Sequence, residues 1–219
     1  KICIKGEEWQ LLPEKAVFWE KASMLILTDL HLGKAGHFRK AGIPIPTGVH
    51  QADLECLGRL IKLHQPQKIL MLGDLFHSEI NSEWQQFRSF MNQYNQYDFI
   101  LVKGNHDILP EDAYHEPNLK VYQESWSVPP FLFTHHPTEK SVENSLYPVC
   151  GHIHPGYKVK IRAGQSLKLP CFFFSDTQAI LPAFGKFTGC MHLCKQKNDR
   201  VFVILSEGKS PAKVIEIRH

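Results

Sequence analysis

The 219-residue chain lacks any run of about 20 apolar residues, the length that a bilayer-spanning helix needs, so no membrane anchor is predicted. Its opening residues, 1–5, have no apolar core and no cleavage site, and no signal peptide is expected. The formal net charge of +3 is too small to indicate a polyanionic partner by itself. No base-reading motif is present, which argues against sequence-specific DNA binding.

Cysteines are also few, and their spacing does not indicate a disulfide framework. The six cysteines include no Cys-x-x-Cys pair and no dense framework, so they are expected to be reduced core residues of a cytoplasmic protein. The spacing of Cys190, His192 and Cys194 leaves a metal clip open, although core cysteines explain the same pattern.

Short apolar runs separated by helical patterns fill the first half of the chain. Strands are predicted at 25–28, Lys68–Leu72 and 99–102, with helices near 49–61 and at Ser82–Gln93 between them. Helices between apolar strands indicate βαβ crossovers and parallel pairing. Further strands are predicted at 2–5, 16–20, 120–124, 131–134, 148–150, 157–162, 171–174, 201–205 and 213–217. We therefore predict one α/β domain over 1–219, with a β-rich second half and helices outside.

Five of these apolar runs end in residues that bind metal ions. The clusters are Asp29-x-His31, Gly73-Asp74, Gly104-Asn105-His106-Asp107, Thr134-His135-His136 and Gly151-His152-Ile153-His154. Because the carboxyl ends of strands form the ligand crevice of an open α/β sheet, these side chains are expected to meet there. Hard oxygens and imidazoles without thiolates suit Mn, Fe or Zn in a polynuclear site.

Each cluster has an ordinary structural explanation when it is taken alone. A single histidine is more often a surface or hydrogen-bonded residue than a ligand, Asp74 fits a helix cap, and Asn105 fits a turn. The recurrence of five clusters after apolar runs favours the metal site.

The order of these clusters resembles the calcineurin-like metallophosphoesterases over about residues 25–155. Within that superfamily, residues 29–46 and 181–189 are similar to the bacterial DNA-ligase-associated phosphoesterases, a DNA-damage-response endonuclease family. Residues 73–78 resemble the corresponding motif of double-strand-break-repair nucleases. Cys190 stands where that family usually has a second glycine. The resemblance implies a four-layer αββα sandwich of two mixed sheets flanked by helices.

The resemblance also implies two divalent metal ions. One would be held by Asp29, His31, Asp74 and His154, and the other by Asp74, Asn105, His135 and His152, with Asp74 bridging. His135 is preferred because it directly follows a strand, and His136 remains the alternative. Mn²⁺ is the expected metal, with Fe or Zn open.

Two cations about 3.5–4 Å apart would clamp the attacking and leaving oxygens at phosphorus. They would also lower the pKa of a bridging water, so that a metal-activated hydroxide attacks the diester. His106 lies beside Asn105 and is predicted to protonate the departing alkoxide or to stabilise charge on the phosphorus, with Asp107 or His77 orienting it.

Basic residues suggest where a substrate would lie. Lys34 and Arg39 follow the first ligands and suit phosphate contact, although solvated loop bases explain them equally well. Lys158, Lys160 and Arg162 alternate along one strand and suit either a DNA backbone track or the protection of an exposed edge.

Three functions follow from these observations. The first is a metal-dependent endonuclease that hydrolyses single-stranded or damaged DNA in repair, associated with a DNA ligase and a helicase. The second is a phosphoesterase for a small nucleotide or a nucleotide-linked lipid. The third, a non-catalytic scaffold, is disfavoured because every ligand is present. A homo-oligomer is compatible with any of them.

Overall fold

Two β-sheets, two α-helices and a short 3-10 helix (Glu111–Tyr114) form the regular structure of the described residues. The computed structural model describes residues 1–34, 49–76, 82–138, 146–160, 165–186, 188–206 and 211–218. No helix in these ranges is long and apolar enough to span a bilayer.

The first sheet follows chain order across seven strands of the described chain. They are β1 (Ile2–Ile4), β2 (Glu7–Leu12), β3 (Ala16–Trp19), β4 (Met24–Thr28), β5 (Lys68–Leu72), β6 (Asp98–Val102) and β7 (Leu119–Tyr122). Strands β1 to β4 pair antiparallel, and β4 to β7 pair parallel. Helix α1 (Val49–His64) connects β4 to β5, and helix α2 (Ser82–Gln93) connects β5 to β6. This confirms the predicted βαβ order.

The second sheet contains the remaining strands of the described chain. They are β8 (Ser125–Val128), β9 (Phe131–Thr134), β10 (Tyr147–Cys150), β11 (Pro155–Lys160), β12 (Ser166–Phe174), β13 (Ala179–Ile180), β14 (Met191–His192), β15 (Arg200–Leu205) and β16 (Lys213–Glu216). The order is β14-β11-β12-β13-β10-β9-β8, and β15 pairs with both β12 and β16. Strand β10 lies parallel to β9 and β13.

The central strands β4, β5 and β6 of the first sheet are buried on both faces, which explains their continuous apolar sequences. Leu25 and Leu27 of β4 face the helices, whereas Ile26 faces the second sheet. Between the sheets, the Trp9 and Phe131 rings lie 4.6 Å apart at their centroids. Burying an aromatic side chain of this kind contributes about 1.5–3 kcal/mol. The predicted α/β sandwich is confirmed, and within the described ranges the helices cover only the first sheet.

Several strands were not predicted because their sequences are polar or very short. Strand β2 carries Glu7, Glu8 and Gln10, yet Glu7 accepts a hydrogen bond from Trp19 Nε1 at 3.0 Å inside the sheet. Strand β8 contains Ser125 and Ser127, and β13 is only two residues long. These strands depend on pairing partners and not on a local pattern. Residues 33–46, whose glycines, prolines and basic residues predict a loop, lie mostly outside the described residues, and so does Thr47, a predicted helix N-cap.

A buried carboxylate on α1 fixes the segment that passes behind the first ligand loop. Asp53 is 2% exposed and accepts a hydrogen bond from the Lys186 amide at 3.3 Å. The same segment donates from the Phe184 amide to the Thr28 carbonyl at 2.8 Å. Burial raises the pKa of Asp53 to about 6, although the Lys186 amide opposes the shift.

Replacing Asp53 with asparagine should stabilise the protein at neutral pH. The folded pKa of about 6 lies above the unfolded value, so the stability from protonated Asp53 is complete below about pH 4 and is lost as pH rises through 6. Asparagine accepts the same amide without ionising. The free energy of unfolding of Asp53→Asn, relative to wild type, should therefore rise by about 1–3 kcal/mol between pH 4 and pH 7. Urea denaturation at both pH values measures this. A difference that does not change with pH would contradict it.

Candidate metal centre

The parallel registers of both sheets bring the ligand-bearing loops to one edge. Thr28 of β4 pairs with Leu72 of β5, and Leu72 pairs with Val102 of β6. Asp29, Asp74 and Asn105 therefore leave the first sheet at the same level, as expected for the carboxyl ends of parallel strands. In the second sheet, β9 and β10 also lie parallel, and the Gly151 amide donates to the His135 carbonyl at 3.1 Å.

Backbone hydrogen bonds hold the first two ligand loops together. The His31 amide donates to the Asp74 carbonyl at 2.9 Å, and the Leu32 amide donates to the Leu75 carbonyl at 2.9 Å. Both loops follow strands that lie side by side, so the pairing continues past the end of the sheet. As a result, Asp29, His31 and Asp74 have fixed relative positions.

Five ligand candidates adopt left-handed backbone conformations. The φ angles are 51° at Asp29, 48° at His31, 49° at Asp74, 64° at His152 and 50° at His154. Residues with a Cβ atom rarely adopt this region, at a cost of about 1–2 kcal/mol each. The conformation turns the chain sharply at the strand end, so that two ligands from one loop enter the same space. Strain of this kind clusters at functional sites.

Glycines precede the ligands where side chains pack against the backbone. At Gly73, with φ of 73°, a Cβ atom would overlap the His135 ring. At Gly151, a Cβ atom would overlap the Asp29 carboxylate. Both positions therefore require glycine for close approach.

The first group of donors contains Asp29, His31 and His154. The Nε2 atoms of His31 and His154 lie 3.3 Å apart, and His154 Nε2 lies 3.3 Å from Asp29 Oδ1. Asp74 Oδ2 lies 3.8 Å from His31 Nε2. These are the side chains that the sequence assigned to the first ion.

The second group of donors surrounds His135. Its Nε2 atom lies 3.1 Å from His152 Nδ1, 3.3 Å from Asn105 Oδ1 and 3.4 Å from Asp74 Oδ1. Asp74 therefore directs one carboxylate oxygen toward each group, as a bridging ligand would. Asp29 Oδ1 also lies 4.0 Å from His135 Nδ1.

His135 and His136 both reach the cluster, in different settings. His135 is 1% exposed, and its Nδ1 lies 3.0 Å from the Leu72 carbonyl, an arrangement that fixes the ring and its tautomer. His136 is exposed, and its ring centroid lies 4.3 Å from that of His152. By the distances between their ring nitrogens alone, His135, His136 and His152 form one group of possible metal ligands. The oriented Nε2 atom of His135 is better prepared for a buried ligand role.

The electrostatic environment keeps His31 and Asp74 in states that bind metal. Burial lowers the pKa of His31 to about 3, so its ring is neutral at pH 7. Burial alone would raise the pKa of Asp74, but the hydrogen bond and charge of His135 lower it overall. Asp74 is therefore ionised. Neutral imidazoles and carboxylates are the ligand forms that divalent cations require. Burial would lower the pKa of His135, but the hydrogen bond and charge of Asp74 raise it overall, so this ring gives up a proton when a cation binds.

The donor set fits divalent cations. Ring nitrogens 3.1–3.3 Å apart, as in the His31–His154 and His135–His152 pairs, must share a proton or face a common cation. The carboxylates of Asp29 and Asp74, 0% and 2% exposed, supply oxygen donors at the same point. Metal binding would compensate the burial of these carboxylates.

The predicted catalytic residues lie around this cluster. The His106 amide donates to Asp74 Oδ1 at 3.0 Å, and its half-buried ring lies 5.7 Å from that of His31 at the centroids. Asp107 accepts hydrogen bonds from the Gly104 amide at 2.8 Å and the Phe76 amide at 3.1 Å. Its burial raises its pKa to about 6.

Of the two substrate-binding residues predicted from the sequence, Lys34 lies within the described residues. Lys34 is half-buried, and its amide donates to the His31 carbonyl at 3.2 Å, beside the first donor group. Arg39 and His77 lie outside the described residues.

A depression of about 370 Å³ adjoins the second donor group, and half of its lining lies outside the clusters that the sequence singled out. Besides Asn105, His135 and His136, it is lined by Lys103 and Gln123, among others. Lys103 directly follows the last residue of β6, which is the same strand-end position that identified the ligand candidates. Gln123 follows β7 and carries no such signal.

Other features singled out earlier do not join the cluster. Cys190, His192 and Cys194 form no three-residue metal group in the described part of the chain, so a clip there is not formed. All six cysteines are unpaired, as predicted, but the expected core position holds only for Cys56, Cys150 and Cys171. Cys3 and Cys194 are exposed. A groove of about 740 Å³ between α1 and α2 is lined by residues such as Arg59 and Gln86, and none of the ligand candidates borders it.

Carboxylates and imidazoles gathered where two stacked sheets end are typical of metal-dependent hydrolases. The chain belongs to the calcineurin-like phosphoesterases, because the sequence profile of that family matches residues 22–206. It is accordingly a metal-dependent phosphoesterase, which confirms the resemblance of the motifs.

The crystal structure of Pseudomonas putida nuclease MPE is similar to this chain. The likeness has a TM-score of 0.78 and 27% sequence identity, and it covers 92% of this chain and 94% of that one. This is consistent with the DNA-ligase-associated branch of the family. No curated protein matches this chain at a significant level.

Removal of His135 should abolish metal-dependent stabilisation, whereas removal of His136 should retain most of it. A ligand at about 100 times its Kd stabilises a protein by about 2.7 kcal/mol. For a chain of this size that is a rise in Tm of roughly 5–10 °C. Thermal unfolding of wild type, His135→Ala and His136→Ala with and without Mn²⁺ measures it. The unfolding temperature without metal controls for general damage. Equal losses in both variants would contradict the assignment.

Proposed function

We propose that this chain is a two-metal phosphodiesterase that hydrolyses DNA strands. One observation carries the proposal: Asp74 directs one oxygen toward the Asp29–His31–His154 group and the other toward the Asn105–His135–His152 group. A single carboxylate shared in this way is what two adjacent cations of like charge require. Asp29, His31, Asp74 and His154 would hold one ion, and Asp74, Asn105, His135 and His152 the other.

The cations would supply electrophilic stabilisation of the phosphoryl oxygens and a coordinated water of lowered pKa. The nitrogen and oxygen donors suit Mn²⁺, with Fe and Zn as alternatives. The protein holds these donors in fixed positions through the paired ligand loops and the Leu72 carbonyl behind His135.

His106 is the proposed proton donor to the departing alkoxide. Its backbone is tied to Asp74, while its ring is half-buried beside His31, at the boundary between the cluster and solvent. A substrate oxygen can therefore approach it without displacing a ligand. Asp107 is a positioning residue, because its carboxylate joins the Gly104 and Phe76 amides and so fixes the His106 loop against the Asp74 loop. Lys34 would contribute positive charge next to the substrate phosphate.

A DNA substrate is supported by two observations. The similar Pseudomonas putida protein is a nuclease. In addition, Asn105, His136 and His152 are exposed, so the described part of the second donor group opens to solvent and does not form the closed pocket expected for a small nucleotide. The motif resemblance further suggests a role in DNA repair beside a DNA ligase and a helicase. Cytoplasmic location, predicted from the reduced cysteines, belongs to the same proposal.

The proposal predicts that circular single-stranded DNA is cleaved in the presence of Mn²⁺. His106→Ala should lower kcat on this DNA and on bis-p-nitrophenyl phosphate by about 10²–10⁴-fold, the usual contribution of general acid catalysis. The Mn²⁺-dependent rise in Tm should remain in this variant, because His106 is not a proposed ligand. Asp74→Ala should lose both activity and stabilisation.

His115→Ala is a matched control, because His115 is an exposed histidine outside the donor groups. It should retain wild-type activity. Hydrolysis of bis-p-nitrophenyl phosphate without any cleavage of circular DNA would contradict the DNA substrate. Unchanged rates in His106→Ala would contradict its role as proton donor.

A further inference from the structure

A lysine-rich hairpin begins directly after the last ligand candidate. Strands β11 and β12 pair antiparallel, with Lys158 opposite Lys168 and Lys160 opposite Ser166. Residues directly opposite in such a pair lie on the same face, and so do alternate residues of one strand. Lys158, Lys160 and Lys168 therefore share one face of the hairpin, which we call the lysine face. All three are exposed.

The opposite face of the hairpin is the one that packs. Tyr157, Val159 and Leu169 contact the small apolar cluster on the outer side of the second sheet. On the lysine face, Gly156 lies against Cys190 Sγ and Lys168 Cγ, so the stem of Lys168 is held close to the backbone of β11. The lysine face is therefore turned away from the core. The aliphatic part of at least one of its lysine side chains, that of Lys168, packs against the backbone of β11.

No ion pair among the described residues neutralises this face. The hairpin residues 155–160 and 165–174 contain no aspartate or glutamate. The ion pairs found among the described residues involve none of the three lysines. Like charges directly opposite each other destabilise a strand pair. Lys158 and Lys168 therefore weaken the hairpin, which suggests a role other than stability.

Protection of an exposed edge does not account for the whole arrangement. Strand β14 pairs with β11 only at Pro155 and Gly156, so lysines on the free part of β11 would discourage aggregation. That purpose requires charge on one strand only. It gives no reason for Lys168 directly opposite Lys158, where repulsion opposes the pairing of β11 with β12.

The hairpin also begins next to the candidate metal centre, because β11 starts at the residue after His154. Lys158 and Lys160 follow His154 by four and six residues, which corresponds to about 13 Å and 20 Å along an extended strand. A polynucleotide with one phosphate at the donor groups would present neighbouring phosphates over this range. A mononucleotide would not reach it.

We propose that the lysine face binds the phosphate backbone of a nucleic-acid strand whose scissile diester lies at the metal centre. This inference rests on the proposed function and specifies how a long substrate is held. The contact is electrostatic and independent of base sequence, since lysines on a flat strand offer no base-reading geometry.

The test is a triple variant, Lys158→Gln, Lys160→Gln and Lys168→Gln. Its matched control is Arg59→Gln, Lys62→Gln and Lys197→Gln, which removes the same charge from exposed positions on α1 and in the turn before β15. Fluorescence anisotropy with a labelled thymidine oligonucleotide, without added divalent metal, gives affinity between 50 and 200 mM NaCl. Thermal unfolding checks that both variants are folded.

The hairpin variant should bind the oligonucleotide about tenfold or more weakly at 50 mM NaCl, and the control less than about twofold. The slope of log affinity against log salt should fall by about 2, at roughly 0.7 for each lost contact to a single strand. With metal present, its KM for DNA should rise relative to its KM for bis-p-nitrophenyl phosphate.

Equal oligonucleotide affinity and equal salt slope in wild type and the hairpin variant would overturn the inference, as would aggregation of the variant with an unchanged KM for DNA. Lysine-dependent binding by a protein that hydrolyses no diester would contradict the proposed function while supporting the lysine face. Diester hydrolysis by a protein whose DNA binding does not depend on these lysines would support the proposed function and contradict the inference about the lysine face.

Discussion

Two buried carboxylates, Asp29 and Asp74, are the constraint on which the rest of the structure depends. An ionised carboxylate removed from water destabilises the fold by several kcal/mol unless donors or cations surround it. Here Asp29, in the first sheet, accepts from the His152 amide of the second sheet at 3.0 Å. Asp74 accepts from the His106 amide at 3.0 Å. The groups that stabilise each carboxylate therefore belong to other ligand loops, and the site joins the two sheets.

This arrangement explains the unusual backbone of the ligand loops. Left-handed conformations at Asp29, His31 and Asp74 would be unfavourable in an ordinary turn. They persist because strand pairing continues past the sheet edge and fixes both loops. The strained conformation places the donors close together, since it lets one short loop supply two donor side chains to one point. Rigid placement of this kind lowers the reorganisation that catalysis would otherwise require.

The centre is asymmetric with respect to solvent. His31 and Asp29 are buried, whereas Asn105 and His152 are exposed on the other side. The proposed ligands in the buried part would define the donor geometry, and the exposed part leaves room for a bulky substrate. This exposure is a reason for the extended polyanionic substrate that we propose, because additional phosphates could contact positive charge beyond the metal centre.

The sequence by itself determined the chemistry of this protein. Donor type is a property of each side chain, and the strand-end position of Asp29, Asp74 and His152 follows from local hydrophobic periodicity. Tertiary structure alone decided that Asp74 divides its oxygens between two groups and that Asp107 supports backbone amides. It also decided that Lys168 lies opposite Lys158. These relations depend on the pairing register of separate strands, which no local sequence pattern contains.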